Sequence, residues 1–102
     1  MKKLLLLLLL LPNLVLASKE TSGTVTLSGA NNIILVDFSK PNSSCGSRYY
    51  LPLSSEYEKA LFSMLLAAQM SGKKVWANGA GDCQTGYPYR NAYKLVNMKV
   101  YD

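Results

Sequence analysis

The chain contains two cysteines, Cys45 and Cys83, and no histidine. Between the cysteines lie a tyrosine-bearing strand pattern (Ser47 to Leu53), a helical pattern and a second strand pattern beginning at Lys73. A cysteine pair in a small exported chain reads as a disulfide. Closing a loop of this length stabilises a fold by roughly 4 kcal/mol, by removing conformational freedom from the unfolded chain. A metal site is excluded by count, because two cysteines without a histidine cannot complete a tetrahedral set. A redox role calls for the Cys-x-x-Cys spacing, which is absent. No cofactor is expected.

Export is read from residues 1–17. Lys2 and Lys3 form a basic start, Leu4 to Leu11 is an unbroken leucine run, and Val15-Leu16-Ala17 supplies a cleavage pattern; together they read as a secretory signal peptide. Pro12 and Asn13 interrupt the apolar stretch, and a membrane span needs roughly 20 apolar residues. The expectation is a secreted or periplasmic protein with no stable membrane anchor, whose single domain covers residues 18–102. With Lys2 and Lys3 set aside, nine basic and six acidic residues leave a net charge of +3. The basic residues are dispersed, whereas a nucleic-acid surface needs them clustered, so no nucleic acid is expected as a partner. A domain of 85 residues buries a marginal core, and a staple fits that need.

Five strands and one helix are expected. Thr24 to Ser28 alternates, and Gly29 to Asn32 forms a turn. Ile33 to Phe38 is nearly continuously apolar and rich in β-branched residues, a strand buried on both faces. Ser47 to Leu51 is the third strand. Ser55 and Glu58 form a capping box that opens a helix, and Gly72 closes it. Lys73 to Ala77 is the fourth strand. Asn78 to Asn91, with three glycines and Pro88, reads as a long loop, and Ala92 to Tyr101 is the fifth strand. In that last strand Val96, Met98 and Val100 share one face, and Tyr93, Leu95, Asn97, Lys99 and Tyr101 the other. The order β-β-β-α-β-β is that of a small five-stranded barrel of the oligonucleotide/oligosaccharide-binding (OB) type. The alternative is an open α+β sheet with the helix across one face.

Helical geometry places Tyr57, Ala60, Leu61, Met64, Leu65 and Ala68 within about 140°, a core face. Phe62, Leu66 and Met70 form a second apolar stripe at i, i+4, i+8. A stripe of this size on a small domain marks an oligomer interface or lies under another part of the same chain.

Trp76, Tyr87, Tyr89 and Arg90 are the candidate ligand residues. Tyrosine and tryptophan offer an apolar ring to a sugar face and a hydrogen-bonding tip to its hydroxyls. Arg90 can pair with a carboxylate such as that of an acidic sugar. Each ring also has a plain structural use on a sheet, and the exposed run Tyr87-Pro88-Tyr89-Arg90 has the least packing reason for its rings. Without histidine there is no Ser-His or Cys-His nucleophile. Glu56, Glu58 and Asp82 lack the spacing of a paired-carboxylate site, so no enzyme activity is expected. Asn42-Ser43-Ser44 matches the N-glycosylation acceptor pattern.

The run Tyr57 to Val75, with its Ala-Leu pair, apolar helix and Ser-Gly-Lys-Lys-Val ending, resembles the B subunits of subtilase-cytotoxin-like and pertussis-like bacterial toxins and related small exported bacterial proteins. Cys45 ahead of the helix and Cys83 after the next strand fit the same pattern. The resemblance covers most of residues 45–102. It implies an OB-type barrel that assembles as a homo-oligomeric ring, often a pentamer, binds cell-surface glycans and works with a catalytic A subunit. In such rings the helices face a central pore, which would bury Phe62, Leu66 and Met70. The second reading is a monomeric exported structural or inhibitory protein.

Overall fold

The computed structural model describes residues 19–42 and 44–102. The signal-peptide expectation for residues 1–17 lies outside them. The described chain is mainly β with one helix. The strands are β1 (Glu20–Gly23), β2 (Val25–Ala30), β3 (Ile33–Phe38), β4 (Arg48–Pro52), β5 (Lys74–Gln84) and β6 (Ala92–Tyr101), and helix α1 (Glu56–Ser71) lies between β4 and β5.

The expected first strand is longer than its alternating core and is bent. Gly23 takes φ 141°, which breaks the strand between β1 and β2. β1 pairs with β5, whereas β2 pairs with β3. The sheet order is β1-β5-β6-β4-β3-β2. Its two ends are therefore consecutive in the chain, and the sheet curls round on one bent segment. Ser39 N–H donates to Thr24 O at 3.0 Å and Thr21 Oγ1 donates to Lys40 O at 2.8 Å across this closure. With β1 and β2 counted as one bent strand, five strands and an intervening helix give the OB-like arrangement. The sheet is a curled half-barrel, with β1 and β2 at its two ends joined through the bent chain and not by pairing with each other. β4 and β6 run parallel, and the other pairs are antiparallel.

Local chemistry accounts for the elements. Asn31 and Asn32 both adopt left-handed φ, the two-residue turn that joins twisted strands. Ser55 Oγ accepts the Glu58 N–H at the start of α1. The Glu58 carboxylate turns back one residue further than a standard capping box, to Ser54 N–H and Oγ. These bonds outweigh burial and hold the Glu58 carboxyl below its ordinary range. Gly72 ends the helix at φ 72°, where a side chain would be strained.

Inside the curl, Val36, Tyr49, Leu51, Val75, Ala77 and Leu95 meet Leu61, Leu65 and Ala68 of α1. Leu35 and Val36 are both buried, as a strand covered on two faces requires. Two expectations change. β5 runs on through Asn78 to Gln84, so the loop shrinks to residues 85–91. The glycines that suggested a loop serve the sheet. A Cβ at Gly79 would stand 2.6 Å from Tyr93 Cβ and 2.9 Å from the Tyr49 ring, so Gly79 makes room for the tyrosines. Between Ala80 and Gln84 the strand bulges opposite Lys94 to Ala92, with Gly81 at φ 80°.

The second change is in β6. Asn97 pairs with Asn78 but Leu95 pairs with Gly79, so Val96 is an extra residue. This bulge swaps the faces part-way along the strand. Tyr93 and Leu95 are therefore buried in the core, and Met98 and Val100 pack on the same core, rather than on opposite faces.

Candidate functional site

The strand alternation around Tyr49 determines what faces outward. Tyr49 points inward, with its ring 5.3 Å from Phe38 in edge contact. Its neighbours Arg48 and Tyr50 consequently lie on the outer face of β4. Arg48 opposes Asp37 of β3 and grips its carboxylate with two hydrogen bonds, Nε to Oδ1 at 2.7 Å and Nη2 to Oδ2 at 3.3 Å. Tyr50 stands between Leu35 of β3 and Lys94 of β6.

The loop after β5 folds over this surface. Asn91 N–H donates to Gln84 O and Arg90 N–H to Gly86 O, which close the loop on itself. The Tyr89 ring stacks obliquely on Tyr50, with centroids 4.6 Å apart. Burial, then the neighbouring Tyr89, raises the Tyr50 pKa. The Arg90 guanidinium lies 5.6 Å from the Tyr87 ring centroid, a cation–π distance. Tyr87 itself is 68% exposed.

Arg48 and Arg90 both border an open cleft of about 300 Å³, whose other walls include Asp37, Cys45, Ser47 and Asn91. Cys45 and Cys83 are joined, with Cα atoms 5.7 Å apart. The disulfide thus ties the β3–β4 loop, one wall of the cleft, to the β5 bulge from which the tyrosine loop departs.

The structure brings Tyr87, Tyr89 and Arg90 together and adds Tyr50, Arg48 and Asp37. Reading β4 as an alternating strand with Tyr49 inside would have found Arg48 and Tyr50. Trp76 lies elsewhere. It is opposite Lys99 of β6 and Ser22 of β1, roughly 20 Å along the sheet from Ala92. Its indole N–H donates to the Glu20 carboxylate at 3.2 Å.

The helix stripe also divides. Phe62 packs against the protein's own core, whereas Leu66 is 42% and Met70 80% exposed. Tyr57 and Met64, expected in the core, are exposed as well. The helix is rolled so that Glu58, Leu61, Leu65 and Ala68 face inward. An apolar cleft of about 430 Å³ runs beside it, lined by Met64, Ala67 and Val100 among others. The neighbouring edge of β6 is only partly covered, with Tyr57 of α1 donating its hydroxyl to Val96 O at 2.7 Å. β4 covers only Ala92 to Lys94, so Leu95 to Tyr101 have no strand partner on that side among the described residues.

No helix among the described residues is long and apolar enough to cross a membrane. Comparison with protein-family models, curated proteins and solved structures finds no match to the chain.

Proposed function

We propose that the chain is an exported, non-catalytic binding module that recognises a cell-surface glycan through the Tyr87-Tyr89-Arg90 loop and acts as a homo-oligomer. The observation that carries this reading is the pairing of Tyr89 with Tyr50 beside two arginines at one disulfide-bound mouth of the barrel. Ring faces suit the apolar face of a sugar, and the Arg90 guanidinium suits a carboxylate on an acidic one, Arg48 being already paired with Asp37. The disulfide supports an extracytoplasmic setting. The non-catalytic part rests on the missing histidine and on both cysteines being oxidised.

Oligomerisation is supported by the exposed Leu66 and Met70 and by the part of the β6 edge that has no strand partner among the described residues, since unpaired strand edges and grouped apolar side chains invite a partner. A catalytic A subunit, as the toxin resemblance implies, belongs to the same proposal. The monomeric reading draws on Phe62, which is already covered within the chain.

Titration of the exported domain with glycans bearing an acidic sugar tests the binding. Tyr89→Ala and Arg90→Ala are expected to weaken it by about tenfold each, and Trp76→Ala to leave it unchanged. A wild-type protein that binds nothing on a broad glycan array would refute the ligand. Native mass spectrometry showing a monomer at micromolar concentration would refute the assembly.

A further inference from the structure

Asn42 heads the glycosylation acceptor pattern, and the fold has already used its side chain. It is 7% exposed. Its Oδ1 accepts three backbone N–H groups, from Ser44 at 3.0 Å, Cys45 at 2.6 Å and Gly46 at 3.1 Å. Its own backbone N–H donates to Gly46 O at 2.5 Å. Nδ2, the atom a glycan would occupy, is buried, with no hydrogen-bond partner among the described residues. The Ser44 hydroxyl of the same pattern is paired with the Tyr93 hydroxyl at 2.6 Å.

One carboxamide thus organises the backbone of residues 44–46, which delivers Cys45 to Cys83. Exposing Nδ2 to solvent would swing that carboxamide out and leave the three N–H groups without their acceptor, which is costly in a part-buried loop. We infer that Asn42 is a modification site presented only by the unfolded chain, and that glycosylation there and the disulfide-closed fold exclude each other. The same geometry makes Asn42 the positioning residue for Cys45. The transfer in question forms a bond between Nδ2 and the anomeric carbon of a lipid-linked oligosaccharide. It breaks that carbon's bond to the lipid pyrophosphate, which departs, and it releases one Nδ2 proton.

The test offers two forms of the full exported chain to a eukaryotic oligosaccharyltransferase with a lipid-linked oligosaccharide donor. One is native. The other is reduced and alkylated and carries Leu65→Asp, a charge at a fully buried core position that keeps the chain open without its disulfide, its loss of tertiary structure checked by near-ultraviolet circular dichroism. Intact mass should show glycan on the open form. Modification of the native form should be slower by about a hundredfold or more, because the enzyme then acts only on the transiently opened fraction. A native chain that accepts glycan at a comparable rate with its disulfide intact overturns the inference, and so does an open chain that is not modified. Reoxidation gives an independent readout of positioning. Asn42→Ala should slow disulfide closure by about threefold to tenfold, and Asn42→Asp, which keeps the acceptor oxygen but cannot carry the glycan, should restore it. Wild-type closure rates in Asn42→Ala would remove the positioning role.

Discussion

Tyr49 has no solvent contact, yet it carries a hydroxyl into the core. That hydroxyl donates to Lys19 O at 2.6 Å, so it anchors the segment leading into β1. Burial penalises the phenolate and pushes the pKa up to about 12 from 10.0, although Asn42 pulls in the opposite direction. The consequence for stability has a definite sign. The folded state holds the proton more tightly than the unfolded chain, so the contribution is complete below pH 10 and is lost as pH rises toward 12. Denaturant titrations across that window should show wild type losing stability faster than Tyr49→Phe. At neutral pH the same variant should be less stable by about 1 kcal/mol, for the lost hydrogen bond. Equal alkaline slopes in the two proteins would mean that the hydroxyl reaches water. Tyr50 is also raised and keeps a slope of its own in both proteins, so the difference between them is the quantity to read.

At the scale of elements, what was legible had a local cause. The α1 boundaries follow from Ser55, Glu58 and Gly72, each acting within a turn of its own position. The turn at Asn31 and Asn32 is equally local. What was not legible depends on contacts distant in sequence. Gly79 reads as a loop residue until Tyr49 and Tyr93 are placed against it. The two faces of β6 cannot be assigned by alternation, because Val96 is inserted by pairing with β5 and nothing near it announces the bulge. The roll of α1 is hidden from the sequence for a related reason. Tyr57 and Phe62 are both plausible core residues by type, and the sheet beneath selects Phe62. Tyr57 instead reaches out to donate its hydroxyl to Val96 O at 2.7 Å, at the bulge. In the cleft, Tyr87, Tyr89 and Arg90 stood out as an aromatic loop, whereas Tyr50 and Arg48 needed the strand pairing that turns them outward. Gly79→Ala tests the packing argument. Its methyl group would meet the Tyr93 Cβ and the Tyr49 ring inside ordinary contact distance. Thermal or urea unfolding should show a loss of about 1–3 kcal/mol, with the near-ultraviolet signal of the buried tyrosines altered. Gly86→Ala has nothing within 4 Å and should be close to neutral.

Over the whole molecule, the disulfide spans 38 residues, a segment holding β4, α1 and most of β5. Its position matters as much as its length. α1 is secured by burial of Leu61, Leu65 and Ala68, and β4 by its pairing with β3 and β6. The β3–β4 loop is held by scattered hydrogen bonds, at Ser39, Lys40 and Ser44 as well as through the Asn42 side chain, and not by a ladder, while the bulge at Cys83 sits where the β5–β6 ladder is interrupted. The disulfide joins these two weak places, and both border the Arg48–Arg90 cleft or the loop above it. Its thermodynamic effect falls mainly on the unfolded chain, where a loop of this size removes freedom worth about 4 kcal/mol. A small domain with a net stability of roughly 5–15 kcal/mol would retain its sheet after that loss if it began near the middle of the range. The double variant Cys45→Ser, Cys83→Ser should therefore keep its far-ultraviolet spectrum in buffer, unfold at lower urea, and show a steeper urea dependence because its unfolded state is more open. Amide exchange should separate the local effect from the global one. Residues 85–91 and the loop around Asn42 should exchange faster than the global loss of stability explains, whereas β5–β6 amides near Val75 and Val100 should follow that loss alone. Uniform acceleration would make the bond only a clamp on the unfolded state, with no hold on the cleft.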